Sequence, residues 1–315
     1  MQPPASDAFS AWLARWETLL EEGAGIPLPP PAARGKQESS APASATARSR
    51  CLILSPHPDD EAIHAGLPLR LAREANWDVV NLAVTFGSNT ARRAERLREL
   101  EAACAVLDFT LVRLDPTDRL GLEGVTPHAR QTKPVHWRRH VERLAASLEA
   151  WAPELVLTPH AADAHPTHAG CHWLLWDAID LLISGGHTPP AWVALTEYWA
   201  PLATPNLLVG LDRRTVATML AALAQHRGEV ARNPYHLMLP AWLIDNVRRG
   251  SERVMGPGSS AASQRFGVLL ELFSVTANGW TRWTPEAGSG AVIDARASLS
   301  TQPLAPLFNR LNRPC

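Results

Sequence analysis

The chain has 315 residues, of which 46% are hydrophobic and 19% are charged, and its 30 basic and 31 acidic side chains leave a net charge of −1. That length and composition are typical of a soluble globular protein with one large domain, or with one domain and appendages. The balanced charge gives no general electrostatic reason to expect nucleic acid or an anionic membrane as a partner.

No targeting or membrane segment is evident from the sequence. The N-terminal residues lack the basic start and the apolar stretch of a signal peptide, and no apolar run reaches the roughly 18 residues of a transmembrane helix. The four cysteines are scattered without a C-x-x-C pair, which indicates a reducing compartment. Together these features predict a cytoplasmic protein.

The first predicted element is an amphipathic helix over residues 7–22. Its apolar side chains recur at helical spacing and form one stripe, made of Phe9, Trp12, Leu13, Trp16, Leu19 and Leu20. We expect this stripe to pack on the domain, with binding to a partner as the alternative. Residues 27–48 are rich in Pro, Ala and Ser without periodicity, which predicts a linker and places the first unit at residues 1–49.

Strand and helix patterns alternate from Arg50 onward. Short apolar runs predict strands at 52–55, 78–86, 109–114 and 155–159, and longer periodic segments predict helices at 61–74, 90–107, 135–151 and 167–184. In the second helix, Arg92 and Arg93 are predicted to lie on a solvated face. Such alternation indicates parallel strands with right-handed crossovers. The sequence therefore predicts an α/β fold, a Rossmann-like three-layer sandwich with a mainly parallel sheet. No G-x-G-x-x-G motif follows the first strand, which argues against dinucleotide binding.

The pattern changes after Pro189. Strands are predicted at 191–198, 207–211 and 266–275, a helix at 213–231, an amphipathic stretch at 241–248 and a Gly/Ser-rich loop at 253–264. We assign residues 50–232 to the core domain and residues 233–315 to a C-terminal extension that completes or caps it.

A histidine and three carboxylates follow the first predicted strand closely. They are His57, Asp59, Asp60 and Glu61. Open α/β sheets bind their ligands beyond the carboxyl ends of the strands. His57 and Asp60 offer a nitrogen and an oxygen ligand to one metal ion. Asp59 then remains free to act as a base on metal-bound water.

A second polar cluster follows a later predicted strand. It contains Asp163, His165 and His168, and the two histidines are close enough in sequence to share one site. Two strand ends with such clusters predict a mononuclear site formed by His57, Asp60 and one or both of His165 and His168. Asp163 either orients a neighbouring histidine or serves as a turn or N-cap residue before the next helix.

These motifs resemble the PIG-L/LmbE family of zinc-dependent de-N-acetylases. Most of the resemblance comes from the strand followed by Pro-His-Pro-Asp-Asp-Glu at 56–61, and from His-Pro-Thr-His at 165–168. Three further segments resemble later parts of the family, at 96–100, 197–202 and 222–226. The resemblance covers residues 50–232 and implies the family's fold and its hydrolysis of N-acetyl amides.

The resemblance implies a role for each residue of the two clusters. His57, Asp60 and His168 would bind the metal, which would be Zn²⁺, with Fe²⁺ as the alternative. Asp59 would be the general base. A cationic His165 would stabilise the oxyanion, and either His165 or Asp59 would protonate the leaving amine.

The same resemblance indicates candidates for substrate contact, namely Arg96, Trp199 and His226. The chain also departs from the family pattern at two places. It has Gly66-Leu67 where the family often has two glycines, and Gly228-Glu229 where the family usually has Ser-Gln. Those departures leave the metal cluster intact and weaken the inference from the family to the substrate contacts.

The predicted function is removal of an acetyl group from an N-acetylated amino sugar or its conjugate by metal-activated water. One alternative is an amidase that cleaves a larger acyl group from a thiol-sugar conjugate. Another is a non-catalytic, metal-stabilised module that binds a partner through the helix at 7–22. The predicted ligand is a small amino-sugar-type molecule, and assembly as a homo-oligomer is left open.

Overall fold

The protein is built on a mixed β-sheet flanked by helices. The computed structural model describes residues 5–33, 48–115, 121–259, 262–284 and 292–299. Within these ranges the strands are β1 (Arg50–Ser55), β2 (Asp78–Ala83), β3 (Thr110–Arg113), β4 (Leu155–Pro159), β5 (Trp192–Thr196), β6 (Leu207–Leu211), β7 (Phe266–Thr276), β8 (Gly279–Arg282) and β9 (Val292–Ile293).

Helices connect most of these strands. They are α1 (Ala5–Gly25), α2 (Asp60–Ile63), α3 (Gly66–Ala75), α4 (Arg93–Leu107), α5 (Pro127–Thr132), α6 (Pro134–Trp151), α7 (Pro166–Ser184), α8 (Arg213–Leu223), α9 (Arg227–Arg232) and α10 (Tyr235–Arg253). A single 3₁₀ turn, Thr90–Arg92, precedes α4. No helix in the described ranges combines the length and the apolar character that a membrane crossing needs.

The strand order is β3-β2-β1-β4-β5-β7-β6-β9, with β8 paired to β7. The first five strands in this order are parallel to one another. The long strand β7 is antiparallel to both β5 and β6, between which it lies. The predicted Rossmann-like sandwich with a mainly parallel sheet is therefore confirmed.

The two faces of the sheet bury two apolar cores, which explains the alternation in β1. Cys51 and Ile53 face a core shared with α3, α4, α8 and α10. Leu52 and Leu54 face the other core, which α6 and α7 cover. Successive side chains of a strand point to opposite faces, so a strand covered on both sides is apolar throughout. Cys51, Cys104 and Cys171 are free and buried.

The predicted helix at 61–74 is divided in the structure. It consists of α2 and α3, with a break at His64 and Ala65. In a continuous helix the ring of Pro68 would clash with the carbonyl group of His64, whereas the break places Pro68 in the first turn of α3. The predicted helix at 213–231 is likewise divided, into α8 and α9, at a turn that ends with the buried His226.

The prediction that the stripe of α1 packs on the domain is wrong for five of its residues. Trp12, Leu13, Trp16, Leu19 and Leu20 are between 41% and 57% exposed. The segment after α1 is attached to the core instead, because the Ala32 amide donates to Gln225 Oε1 and Arg227 donates to the Pro29 carbonyl oxygen. The side chain of Phe9 and residues 34–47 of the predicted linker lie outside the described residues.

Candidate active site

The two polar clusters meet at one edge of the sheet. Strands β1 and β4 are parallel neighbours, and their carboxyl ends lead into the loops that carry the clusters. The connections leave β1 and β4 toward opposite sides, because the strand order reverses between them. This is the position at which open α/β sheets bind ligands.

The backbone of Asp59 has an unusual conformation for a residue with a side chain. Its φ angle is +123°, in a region that costs about 1–3 kcal/mol for a residue other than glycine. The amide of Asp59 donates to Glu61 Oε2 at 2.9 Å, which holds this conformation. As a result Asp59 lines the cavity beside Asp60, although the two residues are adjacent in sequence.

Three potential ligand atoms form a nearly equilateral triangle. His57 Nδ1 lies 3.3 Å from His168 Nε2. Asp60 Oδ2 lies 3.4 Å from His168 Nε2 and 3.6 Å from His57 Nδ1. Ligands at about 2.0–2.1 Å from a tetrahedral Zn²⁺ are about 3.3–3.4 Å apart. The three side chains therefore fit one divalent ion.

A carboxylate lies behind the ring of His168, on the side away from the triangle. Asp163 Oδ2 lies 3.4 Å from His168 Nδ1, and both side chains are 1% exposed. Burial alone lowers the pKa of His168, but the charges of Asp60 and Asp163 outweigh it and raise the pKa to about 10. A position that attracts a proton so strongly also favours a cation, and the carboxylate–histidine arrangement is common around bound zinc. Both roles predicted for Asp163 are present, since it lies beside His168 and its Oδ1 also accepts from the His165 amide at 2.8 Å in the turn before α7.

His165 lies next to the triangle, and its ring offers a further nitrogen that could bind a metal ion together with His57 and His168. Ring nitrogens of His57, His165 and His168 lie within 4.8 Å of one another. Burial and the charges of His57 and His168 lower the pKa of His165 to about 4, so the predicted cationic form is disfavoured. His165 Nδ1 accepts from the Thr167 amide at 3.2 Å, which leaves the proton of the neutral ring on Nε2.

Asp59 lies beside the triangle, but its carboxylate is not one of the three ligand groups. Burial and the charge of Asp60 raise its pKa to about 8, against the lowering effect of His226 and Arg96. Its nearest described cationic group is Arg96 Nη2, which lies 4.0 Å from Asp59 Oδ2.

A cavity of about 700 Å³ opens in front of these residues. Its lining includes a charged wall, formed by Arg92, Arg93, Arg96 and Arg232 around Glu229, and an aromatic wall, formed by Tyr198, Trp199 and Tyr235. The aromatic rings meet edge to face, with centroids 5.3 Å apart for Tyr198 and Trp199 and 6.1 Å apart for Trp199 and Tyr235. The cavity thus has one charged wall and one aromatic wall.

The charged wall is organised around the buried Glu229. Arg92 Nη1 donates to Glu229 Oε1 at 2.9 Å, Arg232 donates to Glu229 Oε2, and Arg96 Nε lies 3.8 Å from Glu229 Oε1. Gly228 makes this possible, because a Cβ atom there would lie 2.0 Å from Arg92 Nη2. The departure of Gly228-Glu229 from the family pattern was the sequence signal for this cluster.

The prediction of a solvated helix face for Arg92 and Arg93 is wrong. Both line the cavity, because the 3₁₀ turn before α4 directs the chain toward the site. Arg93 donates to Glu123 Oε1 at 3.1 Å on the same wall. Tyr198, Tyr235 and Arg232 also line the cavity without having been predicted as site residues, although Tyr198 lies in the segment 197–202 that resembles the family.

The three residues predicted to contact substrate lie in different surroundings. Arg96 lines the cavity, where it donates to the Pro58 carbonyl oxygen at 3.0 Å. Trp199 also lines the cavity and is 46% exposed, but it lies beyond the end of β5 rather than in a strand. His226 is completely buried, so it faces Glu61 rather than the cavity.

Residues 52–179 match the model of the PIG-L family, described as GlcNAc-PI de-N-acetylase. The resemblance to that family is confirmed over this segment. No curated protein matches the chain.

Three solved structures with the same fold have similar TM-scores. The conserved protein TT1542 from Thermus thermophilus has a TM-score of 0.52 and 19% identity, over 70% of this chain and 92% of its own. GalB, the 4-carboxy-2-hydroxymuconate hydratase from Pseudomonas putida, has a TM-score of 0.52 and 19% identity over 71% and 95%. The pseudoaglycone deacetylase Dbv21 has a TM-score of 0.51 and 17% identity over 76% and 100%. Since these include a hydratase and a deacetylase, the shared fold does not determine the reaction. The reaction has to be inferred from the residues of the site.

Proposed function

Because residues 52–179 match the PIG-L family of de-N-acetylases, we propose that the protein is a metal-dependent hydrolase that removes an acetyl group from an amino sugar or an amino-sugar conjugate. The observation that carries this proposal is the unligated carboxylate of Asp59 beside a triangle of ligand atoms. A structural metal site needs no spare acid. The strained backbone of Asp59 favours a reaction over the non-catalytic alternative.

His57, Asp60 and His168 would hold the ion. One nitrogen from each histidine and one carboxylate oxygen suit Zn²⁺, with Fe²⁺ as the alternative. A divalent ion at this position would supply the Lewis acidity that makes water nucleophilic near neutral pH. Asp163 would keep Nε2 of His168 directed at the ion through its contact with Nδ1.

Asp59 would move the proton in both halves of the reaction. A pKa of about 8 leaves Asp59 largely protonated at neutral pH, and the charge of a bound divalent ion would favour its carboxylate form. As a carboxylate it takes a proton from the attacking water as the C–O bond forms at the amide carbon. It then gives that proton to the nitrogen as the C–N bond breaks, so that acetate and a free amine leave. A pKa of about 4 disfavours a proton on His165 at neutral pH, which supports Asp59 rather than His165 as the acid.

His165 would stabilise the charge that develops on the amide oxygen. Nδ1 accepts from the Thr167 amide, so Nε2–H is free to donate a hydrogen bond to that oxygen. A donor held in place before the reaction begins is worth about 2.7–4 kcal/mol of barrier in comparable sites.

The two walls of the cavity suggest how the amino sugar is held. Trp199 and the two tyrosines offer faces for the apolar side of a sugar ring. The arginines around Glu229 offer hydrogen-bond donors for hydroxyl or acidic groups on the same molecule.

Acetate release tests the proposal directly. The purified chain, treated with a chelator and then with Zn²⁺ or Fe²⁺, is incubated with N-acetylglucosamine and with its glycosides and phosphates. We expect acetate only after metal is returned, and release at least about 100-fold slower from the Asp59→Asn variant. Release of a longer acid from acylated thiol-sugar conjugates, without acetate release, would identify the amidase alternative. Failure of every amide substrate, with metal bound, would contradict the hydrolase.

A further inference from the structure

A pair of histidines on α6 faces a backbone carbonyl group at the edge of the cavity. His136 and His140 are one helical turn apart, and their Nε2 atoms are 2.9 Å from each other. The carbonyl oxygen of Glu123 lies 3.1 Å from His136 Nε2 and 3.0 Å from His140 Nε2. The three atoms form a second compact triangle, which the proposed hydrolysis does not use.

Hydrogen bonds cannot satisfy all three contacts of this triangle. The carbonyl oxygen only accepts, and each Nε2 carries at most one proton. If both nitrogens are protonated, two N–H groups oppose each other at 2.9 Å. If only one is protonated, the lone pair of the other nitrogen opposes the carbonyl oxygen. Every assignment of protons therefore leaves at least one repulsive contact.

A metal ion removes the conflict, because all three atoms then act as electron-pair donors. Ligands at about 2.1 Å and about 90° from an ion are about 3.0 Å apart, which agrees with the three distances. Nitrogen and oxygen ligands at right angles are typical of Ni²⁺ and Cu²⁺ and are also compatible with Zn²⁺. Two histidines four residues apart on a helix are a common metal-binding pair.

The surroundings allow an ion to enter and bind. His136 is exposed and lines an open surface groove of about 730 Å³, together with Glu123 and Gly124. His140 is buried, and burial lowers its pKa, which keeps its ring neutral and able to bind a metal. Water can complete the coordination from the open side.

We propose that His136, His140 and the Glu123 carbonyl oxygen form an accessory site for a divalent transition-metal ion, separate from the candidate active site. Residues 122–126 line the cavity, and Glu123 also binds Arg93 on the charged wall. An ion at the accessory site joins α6 to this segment and so restrains one wall of the cavity. The proposal is independent of the reaction proposed for the protein.

Metal titration of the full chain tests the accessory site. The metal-stripped protein is titrated calorimetrically with NiCl₂, as the unaltered chain and as a His57→Ala/His168→Ala variant. We expect two equivalents of Ni²⁺ for the unaltered chain and one for the double variant. Adding His136→Gln should remove one equivalent in both backgrounds, whereas His128→Gln, a change of an exposed histidine on α5, should remove none.

Hydrogen exchange gives a second, structural readout. In the His57→Ala/His168→Ala variant, NiCl₂ should slow amide exchange in residues 121–126, and His136→Gln should abolish that protection. Since His136 is exposed, its substitution leaves the core unchanged. The proposal is overturned if His136→Gln retains the full number of equivalents in the unaltered chain. It is equally overturned if Ni²⁺ binds at the accessory histidines without protecting residues 121–126.

Discussion

His226 Nε2 lies 2.7 Å from Glu61 Oε1, and neither side chain is exposed to solvent. The other carboxylate oxygen of Glu61 accepts from the amide of Asp59. One buried ion pair therefore joins the turn between α8 and α9 to the strained residue that we propose as the general base. Removal of one partner would leave an uncompensated charge or an unsatisfied donor in the core.

The first prediction concerns stability and pH. Burial alone lowers the pKa of His226, but the charge of Glu61 and its hydrogen bond outweigh this and raise the pKa above the ordinary value of 6.5. A raised pKa contributes stability that is fully present below pH 6.5 and is lost as the pH rises through the folded-state value. We expect the free energy of unfolding to fall above pH 6.5, and Glu61→Gln to remove that contribution and to cost about 3–5 kcal/mol at pH 6.

Urea unfolding at several pH values measures both effects. His187→Gln, a change of an exposed histidine paired with Glu149, serves as the control and should keep the wild-type pH dependence. An unchanged slope above pH 6.5 in Glu61→Gln would show that the buried pair is not its source.

The second prediction concerns Asp59. Asp59→Asn keeps the shape of the side chain but removes its ability to accept a proton. We expect a loss of about 10²–10⁴-fold in kcat, as for other general bases, with metal content unchanged. Metal analysis and acetate release on the same preparation measure the two quantities, and activity within tenfold of wild type would exclude Asp59 as the base.

The third prediction compares a proposed ligand with the residue behind it. His168→Ala should abolish activity and metal binding at the candidate active site, while the accessory site keeps its own equivalent. Asp163→Asn should weaken metal affinity about 10–100-fold without abolishing it, because it removes only the charge that orients His168. Competition with a chelator gives both affinities. Equal losses in the two variants would contradict the assignment of His168 as ligand and Asp163 as its support.

The fourth prediction concerns the close approach of α7 to the cavity wall. A Cβ atom at Gly170 would lie 2.3 Å from the Val125 carbonyl oxygen and 2.8 Å from Thr126 Cα. Since those are backbone atoms, Gly170→Ala should destabilise the protein by about 1–3 kcal/mol, measured by thermal or urea unfolding. Gly25→Ala, where nothing lies within 4 Å of the added atom, should change stability little.

The fifth prediction concerns substrate binding. Trp199→Ala should raise KM about two- to tenfold with a smaller change in kcat, because aromatic contacts contribute about 0.5–1.5 kcal/mol beyond the area they bury. Trp12→Ala removes an equally exposed tryptophan from α1 and is the matched control. A fall in kcat at constant KM would place Trp199 in the reaction rather than in binding.

Local sequence was sufficient to predict strands β1 to β7 and the polar clusters that follow β1 and β4, but not the short strands β8 and β9. The run Cys51–Leu54 is apolar because it is covered on both faces, and the proposed ligands follow two such strands directly. The meeting of His57 and His168 follows from topology, since adjacent parallel strands end at one edge.

Local sequence could not predict the charged wall. Arg92 and Glu229 are 137 residues apart, and their contact depends on the packing of α4 against the turn before α9. The sequence around a charged helix residue does not show which distant residue will pair with it. The same holds for His226, whose burial depends on Glu61. For α1, an amphipathic pattern indicates an apolar stripe but not what covers it.

The position of β7 in the sheet determines the order in which the strands can pair while the chain is being synthesised. In the described sheet, β6 pairs with β7 and β9, and both are made after it. A nascent chain must therefore extend through residue 276 before β6 can reach β5 by way of β7. Until the ribosome has released that much polypeptide, the edge of β5 stays open, and chaperones have an unpaired apolar strand to protect.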